Sequence, residues 1–403
     1  MKKIAAEQIS FPQILGGADN VENFHHPFPW FEKMRKESPV YFNEATKTWQ
    51  VFRYEDVKRL ADDTKSFSVD FPRMPGSKLK KSLILLDNPV HKQLRSIVNH
   101  AFTPKVLEGW TPCILEITER LLEQVSGEEE FDLVKEFTYP LPMEVIASML
   151  GIPSQYMDKF KEWSDILVSF PKSSSKEDLE ENRSIRLKAQ EELSQFFHYI
   201  ITEKRGHLGD DIISILIQAE EEGTKISEEH LIPFCQLLLV AGNETTTNLI
   251  SNAVYCLIEH KDVYEEVRKD LSLIPQMVEE TLRYRGPAHV LRRIVAQDTD
   301  MAGQHLRKGD IVIGWLTSAN RDENQFKDAS TYNIHRNPNQ HLGFGHGIHF
   351  CLGAPLARLE AKIAMTEIIK RYSSISFSKN FTIDPIKNGA VLGFHSLQIC
   401  TKK

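Results

Sequence analysis

A chain of 403 residues, 41% hydrophobic and 26% charged, can bury a large core and is neither a disordered nor a fibrous protein. Its formal net charge of −7 argues against a general nucleic-acid binder. The cysteines, Cys113, Cys235, Cys256, Cys351 and Cys400, are scattered and odd in number, which fits a reducing cytoplasm rather than a disulfide framework. No run approaches the ~20 apolar residues of a membrane span, and the Met-Lys-Lys start leads into Glu7 and Gln8 rather than an apolar signal core.

In chain order, residues 30–36 read as a short helix behind Pro29. Residues 40–42 and 49–52 are aromatic and β-branched around a polar turn, which predicts a hairpin. Residues 55–62 read as helix. Residues 66–86 form a loop with Pro72, Pro75 and Gly76 as breakers. Its Arg73, Lys78, Lys80 and Lys81 read as a solvated basic face, ahead of an apolar Leu83-Ile84-Leu85-Leu86. Residues 87–99 begin and continue a helix that puts His91 and Arg95, four apart, on one face. Residues 105–170 are mostly helical pattern, broken at Gly109, at 140–142 and at 151–153. After the polar break at 171–175, residues 176–192 predict an exposed, highly charged helix. Another helix follows through Glu203, and 210–222 is amphipathic.

Residues 227–261 are the longest helical pattern, roughly 50 Å at 1.5 Å per residue. Pro233 should bend its first turns or delay its start. Its middle reads Ala241-Gly242-Asn243-Glu244-Thr245-Thr246-Thr247-Asn248. A polar block inside an apolar helix is costly unless partnered, so it marks a functional interruption or a site of back-bonding to the preceding turn. Residues 275–285 are a short helix stopped by Gly286-Pro287, with Glu280 and Arg283 on one face. Strands follow at 291–296 and 310–315, with Gly303 and Gly309 at turns and with Arg292 pointing opposite to Arg293. Strands around 375–377 and 396–400 flank a loop at 388–393.

The densest signal is Phe344-Gly345-His346-Gly347-Ile348-His349-Phe350-Cys351-Leu352-Gly353. Leu352, Leu356, Leu359 and Ile363 then recur at helical spacing, with Pro355 in the first turn. Cys351 therefore sits just ahead of a helix N-terminus, where the dipole and unpaired amides favour thiolate. The glycines let backbone approach the sulfur. This is the environment of a nucleophile or a metal ligand.

This run resembles, at every fixed position, the Phe-Gly-x-Gly-x-His-x-Cys-x-Gly haem-binding signature of the cytochrome P-450 family, the haem-thiolate monooxygenases. The resemblance covers nearly the whole chain. It implies a mainly α fold with small β-sheets, with haem between a long central helix and the cysteine-loop helix, in a single domain over 1–403. That expectation overrides the division into about two or three domains that length alone suggests. It makes Cys351 the axial thiolate of haem b. Phe344, Gly353 and Ala241 would adjoin the haem, and His91, Arg95, Arg293 and His349 would hold its propionates. The central block is similar to the family's Ala-Gly-x-(Asp/Glu)-Thr, which implies that Glu244 and Thr245 relay protons during dioxygen cleavage. Glu280, Arg283 and Arg336 would form a buried ion network that holds the cysteine loop. Leu85, Val240, His289, Val290, Val391 and Leu392 would line a pocket for a fatty acid, terpenoid or steroid-like molecule, beneath the 66–86 loop and a lid at 176–192.

The chain has no flavin or nicotinamide fingerprint, so the resemblance implies electrons from a ferredoxin or flavodoxin with its reductase. Lys92, Arg358 and Lys362 are candidates for docking that acidic partner. A soluble, cytoplasmic, bacterial-type monomer without membrane or nucleic-acid attachment is expected. A peroxide-driven peroxygenase of the same fold and a non-catalytic haem sensor are the rival readings. The Glu244-Thr245 pair argues against the first. A cysteine hydrolase lacks a suitably placed base.

Overall fold

A computed structural model describes residues 24–71, 82–169, 171, 175–221, 228–387 and 389–403. The breakers Pro72, Pro75 and Gly76, the basic residues Arg73, Lys78, Lys80 and Lys81, the centre of the polar break at 172–174, the expected helix start at 227 and residue 388 lie outside them. The chain divides into two units. One combines Met1–Met74, Thr118–Thr138 and Thr245–Lys403; the other combines Pro75–Ile117 and Tyr139–Glu244.

All described strands belong to the first unit: β1 Val40–Asn43, β2 Thr48–Val51, β3 Phe67–Ser68, β4 Glu130–Asp132, β5 Val290–Val295, β6 Thr299–Met301, β7 Gln304–Leu306, β8 Ile311–Trp315, β9 Ser374–Phe377, β10 Asp384–Pro385, β11 Phe394–Ser396 and β12 Gln398–Lys402. The expected hairpin is β1–β2, with Tyr41 opposite Gln50 and Phe42 opposite Trp49. It extends into a five-stranded sheet of order β1-β2-β8-β5-β3, in which β2 runs parallel to β8 and β5 antiparallel to it. β8 is apolar almost throughout because both its faces are covered. Val312 joins Val57, Leu60 and Leu342 on one face. Ile313 and Trp315 join Phe31, Phe52 and Leu392 on the other. Trp315 is fully buried, and its indole N–H donates to Gln50 Oε1 at 2.8 Å, so the large ring enters the core without a stranded donor. The sheet β4-β12-β9 and the hairpins β6–β7 and β10–β11 complete the strands.

In the second unit every described regular element is helical. The Met157–Val168 helix packs on the Lys176–Gly206 helix through Trp163 against Phe196 and Phe160 against Phe197. Trp163 Nε1 donates to Glu192 at 3.0 Å. Ser175 caps the longer helix by accepting the Asp178 amide at 3.1 Å.

Several boundaries differ from expectation. The two helices expected over 176–203 are one, because nothing between Lys176 and Arg205 breaks it. Pro140 and Pro142 start the Pro140–Leu150 helix instead of interrupting one, since the first helical turn has no intrahelical use for their missing N–H groups. β4 and a π-helical turn, Val134–Thr138, fall within the stretch read as mostly helical. The central helix runs from Glu228 to Glu259 with Pro233 inside it, so the proline does not delay its start. The helix after the cysteine starts at Ala354, with Leu352 outside it. Its buried face is Leu356, Glu360, Ala361, Ala364, Met365 and Ile368, while Leu359 and Ile363 are only half-buried.

Candidate active site

The cysteine loop is held by backbone bonds set by its glycines. Gly345 and Gly347 have φ of +72° and +69°, a region L side chains avoid. A side chain at 347 would also meet Ala61 O at 2.9 Å and Asp62 Oδ1 at 2.8 Å. The loop thus lies flush against the end of the Tyr54–Asp62 helix, where His346 Nδ1 meets Asp62 Oδ1 at 2.6 Å. Cys351 N–H donates to Phe344 O at 2.9 Å, closing the loop on itself. The 18-residue helix Ala354–Arg371 begins three residues later, with Pro355 in its first turn. A Cβ at Gly353 would stand 4.0 Å from Cys351 Sγ, an ordinary contact.

The other four thiols are poor ligands. Burial pushes Cys256 up to about 12 and Cys235 well above the usual thiol range. Burial also raises Cys113, and slight burial with the neighbouring Glu130 carboxylate raises Cys400. Thiolate is the ligating form, so Cys351, partly exposed at a helix N-terminus, is the best-suited thiol.

On β5, Arg293 lies opposite Val312 and Arg292 opposite Ile313, so the two side chains leave opposite faces of the sheet, as expected. Arg293 is 8% exposed and donates to the Arg292 carbonyl at 2.9 Å; Arg292 stacks over Phe71. Arg293, Phe344, His349, Cys351 and Gly353 all belong to the first unit. His91 and Arg95 belong to the second, on the Val90–Val98 helix. Burial, then the Arg95 charge, holds the His91 imidazole below its usual range, and Arg95 Nε donates to Asn99 at 3.1 Å.

Glu280 and Arg283 form a fully buried bidentate pair, with bonds of 2.8 and 2.6 Å. Arg283 also donates to the carbonyls of Asn320, Ala329 and Thr331. Glu280 accepts from the Asn333 amide at 2.9 Å, Asn339 Nδ2 at 3.2 Å and Arg336 Nε at 3.3 Å. Arg336 reaches on to the carbonyls of Lys327 and Asp328. The three residues singled out in the sequence thus meet, and what they bind directly is the segment from 327 to 339.

The neighbouring Glu279 had no motif to mark it. Arg358 donates to it through Nε at 2.6 Å and Nη2 at 2.9 Å, and His341 Nε2 lies 3.1 Å away. Burial alone would raise this carboxyl, but the bonds from Arg358 and His341 outweigh burial and hold it at about 2. A carboxyl held below its unfolded value of 4.5 stabilises the fold above that pH and loses the contribution as pH falls towards 2. The stability difference between wild type and Glu279→Gln should therefore be full at neutral pH and shrink between about 4.5 and about 2. Urea midpoints across that range test this; a pH-independent difference would contradict it. Arg358, expected as part of a docking patch, is committed to Glu279 and to the Phe344 ring, 4.6 Å from its guanidinium carbon.

The central helix is buried along most of its length, yet Ala241 is exposed and Val240, Glu244 and Thr245 are half-buried near its middle. Gly242 allows close packing of Ile146, whose Cδ1 would lie 2.8 Å from a Cβ at that position. Part of the polar block is structural. Asn248 accepts the Phe394 amide at 3.1 Å, and Asn252 donates to the carbonyls of Arg285 and Leu392. These asparagines tie the chain before β11 to the helix, a role no local pattern revealed.

Two expected pocket residues sit elsewhere. His289 is 3% exposed, lies between Phe31 and Trp315 in the aromatic core, and its Nδ1 bonds Thr317 Oγ1 at 2.8 Å. Burial, then the Arg285 charge, holds it at about 3, so its imidazole is neutral within the core. Leu392 is 1% exposed in the same cluster. Val290 is only partly buried against that cluster, and Val391 bridges Ala288. Leu85, in a short 3₁₀ turn of the second unit, and Val240 are half-buried.

The fold and the cysteine loop define a haem-thiolate oxidoreductase. The Cytochrome P450 family model matches residues 13–400, and the chain belongs to that family. It is 51% identical over 380 residues to the Bacillus subtilis cytochrome P450 YjiB, covering 94% of this chain and 95% of that one. The crystal structure of the cytochrome P450 enzyme CYP109B1 from Bacillus subtilis is similar at a TM-score of 0.88 and 50% identity, over 93% of this chain and 99% of that one. CYP109E1 from Bacillus megaterium, solved in complex with testosterone, is similar at 0.91 and 45%, over 95% and 100%. The protein is a cytochrome P450 monooxygenase with haem b as its cofactor. The donor set fits that group: a thiol beside a helix N-terminus and a buried arginine suited to a carboxylate lie in one unit. No helix among the described residues is long and apolar enough to cross a membrane.

Proposed function

We propose that this protein hydroxylates a hydrophobic, steroid-like small molecule, with dioxygen and electrons from a separate ferredoxin or flavodoxin and its reductase. Cys351 holds the haem iron, and Phe344, Gly353 and Ala241 adjoin the macrocycle. His91, Arg95, Arg293 and His349 receive the propionates. Haem supplies the oxidising centre, and its thiolate ligand favours O–O cleavage. Glu244 would carry protons in from water and hand them to the Thr245 hydroxyl. Leu85, Val240 and Val290, each half-buried, offer apolar surface to the substrate, whereas Val391 is buried. The observation that carries the reading is the half-buried Glu244-Thr245 pair beside the exposed Ala241, near the middle of a mostly buried helix. A pure sensor has no use for a carboxylate and a hydroxyl placed side by side at that point.

The substrate class draws on the relative solved with testosterone. The family match from 13 to 400 supports one catalytic domain across both units. The scarce, scattered cysteines support a cytoplasmic location. Lys92 and Lys362, both exposed, remain as docking cations for an acidic electron donor.

Reconstitution with a surrogate ferredoxin pair and testosterone tests this, by measuring NADPH consumed and hydroxylated product formed. Turnover only with peroxide would favour the peroxygenase, and substrate binding without turnover the sensor. Thr245→Ala should keep the fold but lower the product formed per NADPH by at least about tenfold, with the balance appearing as hydrogen peroxide. Coupling at the wild-type level would remove Thr245 from the proton path.

A further inference from the structure

Two consecutive carboxylates on the Ile274–Arg285 helix hold two consecutive stretches of chain. Glu280, with Arg283 and Arg336, binds the segment from 327 to 339. Glu279 binds the stretch that follows and leads into the cysteine loop. His341 Nδ1 accepts the Gly343 amide at 3.1 Å, so Nε2 carries the proton and donates to Glu279 at 3.1 Å. A neutral imidazole satisfies both bonds. On the other side, Glu279 fixes Arg358 in a bidentate grip, and the held guanidinium lies 4.6 Å from the Phe344 ring centroid. Phe344 also packs edge-on against Phe350, and its carbonyl receives the Cys351 N–H at 2.9 Å. One carboxylate thereby joins three elements: its own helix, the approach to the loop, and the Ala354–Arg371 helix that follows the cysteine.

We infer that Glu279, acting through Arg358 and Phe344, is a positioning residue for the Cys351 thiolate and sets the electrostatic balance beside it. The inference rests on the reading of Cys351 as the haem ligand. The ion pair places one positive and one negative charge at the loop. Loss of either partner alone leaves an uncompensated charge whose sign decides how readily an electron is accepted nearby.

The test uses Glu279→Gln, Arg358→Gln and the double variant of the haem-loaded protein. Two quantities are read: the haem reduction potential, and the rate at which the reduced carbonyl complex converts from its thiolate to its thiol Soret form. Glu279→Gln leaves a lone cation and should raise the potential. Arg358→Gln leaves a lone anion and should lower it, and the double variant should return towards wild type. Conversion to the thiol form should quicken by at least about tenfold in all three, because each removes the charge-assisted bonds behind Phe344. Arg358→Lys, which keeps the charge without the planar fork, should hold the potential yet still convert faster, and it serves if the Glu279 variant does not fold. Wild-type potentials and conversion rates in folded variants would overturn the inference and leave Glu279 as scaffold. Absence of a thiolate Soret band from the wild-type protein itself would instead overturn the assignment of Cys351.

Discussion

Cys351→Ser yields a folded protein whose reduced carbonyl complex lacks the red-shifted Soret band of thiolate ligation. The expectation follows from the donor. A serine hydroxyl fits the same space, since Cys351 is only partly buried and its N–H bond to Phe344 O belongs to the backbone. The hydroxyl does not ionise at neutral pH, and it cannot push electron density as a thiolate does. No other cysteine can stand in: Cys235 and Cys256 are buried thiols held protonated, and Cys113 and Cys400 are likewise shifted up. Monooxygenation should fall below detection in the same variant. An unchanged band would show that iron is held elsewhere.

Glu280→Ala should destabilise the protein by about 3–5 kcal/mol, because it strands the fully buried Arg283 guanidinium. The loss extends beyond one pair. The Asn333 amide, Asn339 Nδ2 and Arg336 Nε lose their acceptor as well. Each buried donor left unmet adds a cost, so the effect should fall at the upper end of that range. Urea unfolding measures it, and poor haem retention should accompany it, because the 327–339 segment leads directly into the loop. A stability within about 0.5 kcal/mol of wild type would contradict this, because it would mean that the buried Arg283 charge is compensated without Glu280.

The residues with the strongest chemistry were legible without coordinates because they are local. A cysteine framed by glycines and followed by a helix needs only the next few residues to define its environment, as Gly345, Gly347 and the Ala354–Arg371 helix show. The β1–β2 hairpin was equally local, since two short aromatic and β-branched runs on either side of a polar turn pair with each other. Misreadings came where a residue's partner is distant in sequence. His289 was expected in the lining of the pocket, but it packs against Phe31 and Trp315 and bonds Thr317 in the core. Arg358 is a surface cation as expected, but its partner Glu279 lies 79 positions away and no local pattern pointed to it.

The amino-acid order alone determined the haem ligand candidate, the helical character of most segments and the membership of Glu280 and Arg283 in one face, because spacing along a helix or strand is a short-range geometric constraint. Only the folded arrangement decided that Asn248 and Asn252 secure the chain before β11, that both faces of β8 are covered, and that Glu279 shares the support of the cysteine loop. Hydrogen bonds and ion pairs form between whatever groups the backbone brings within about 3 Å, and that proximity is a property of packing rather than of neighbouring residues.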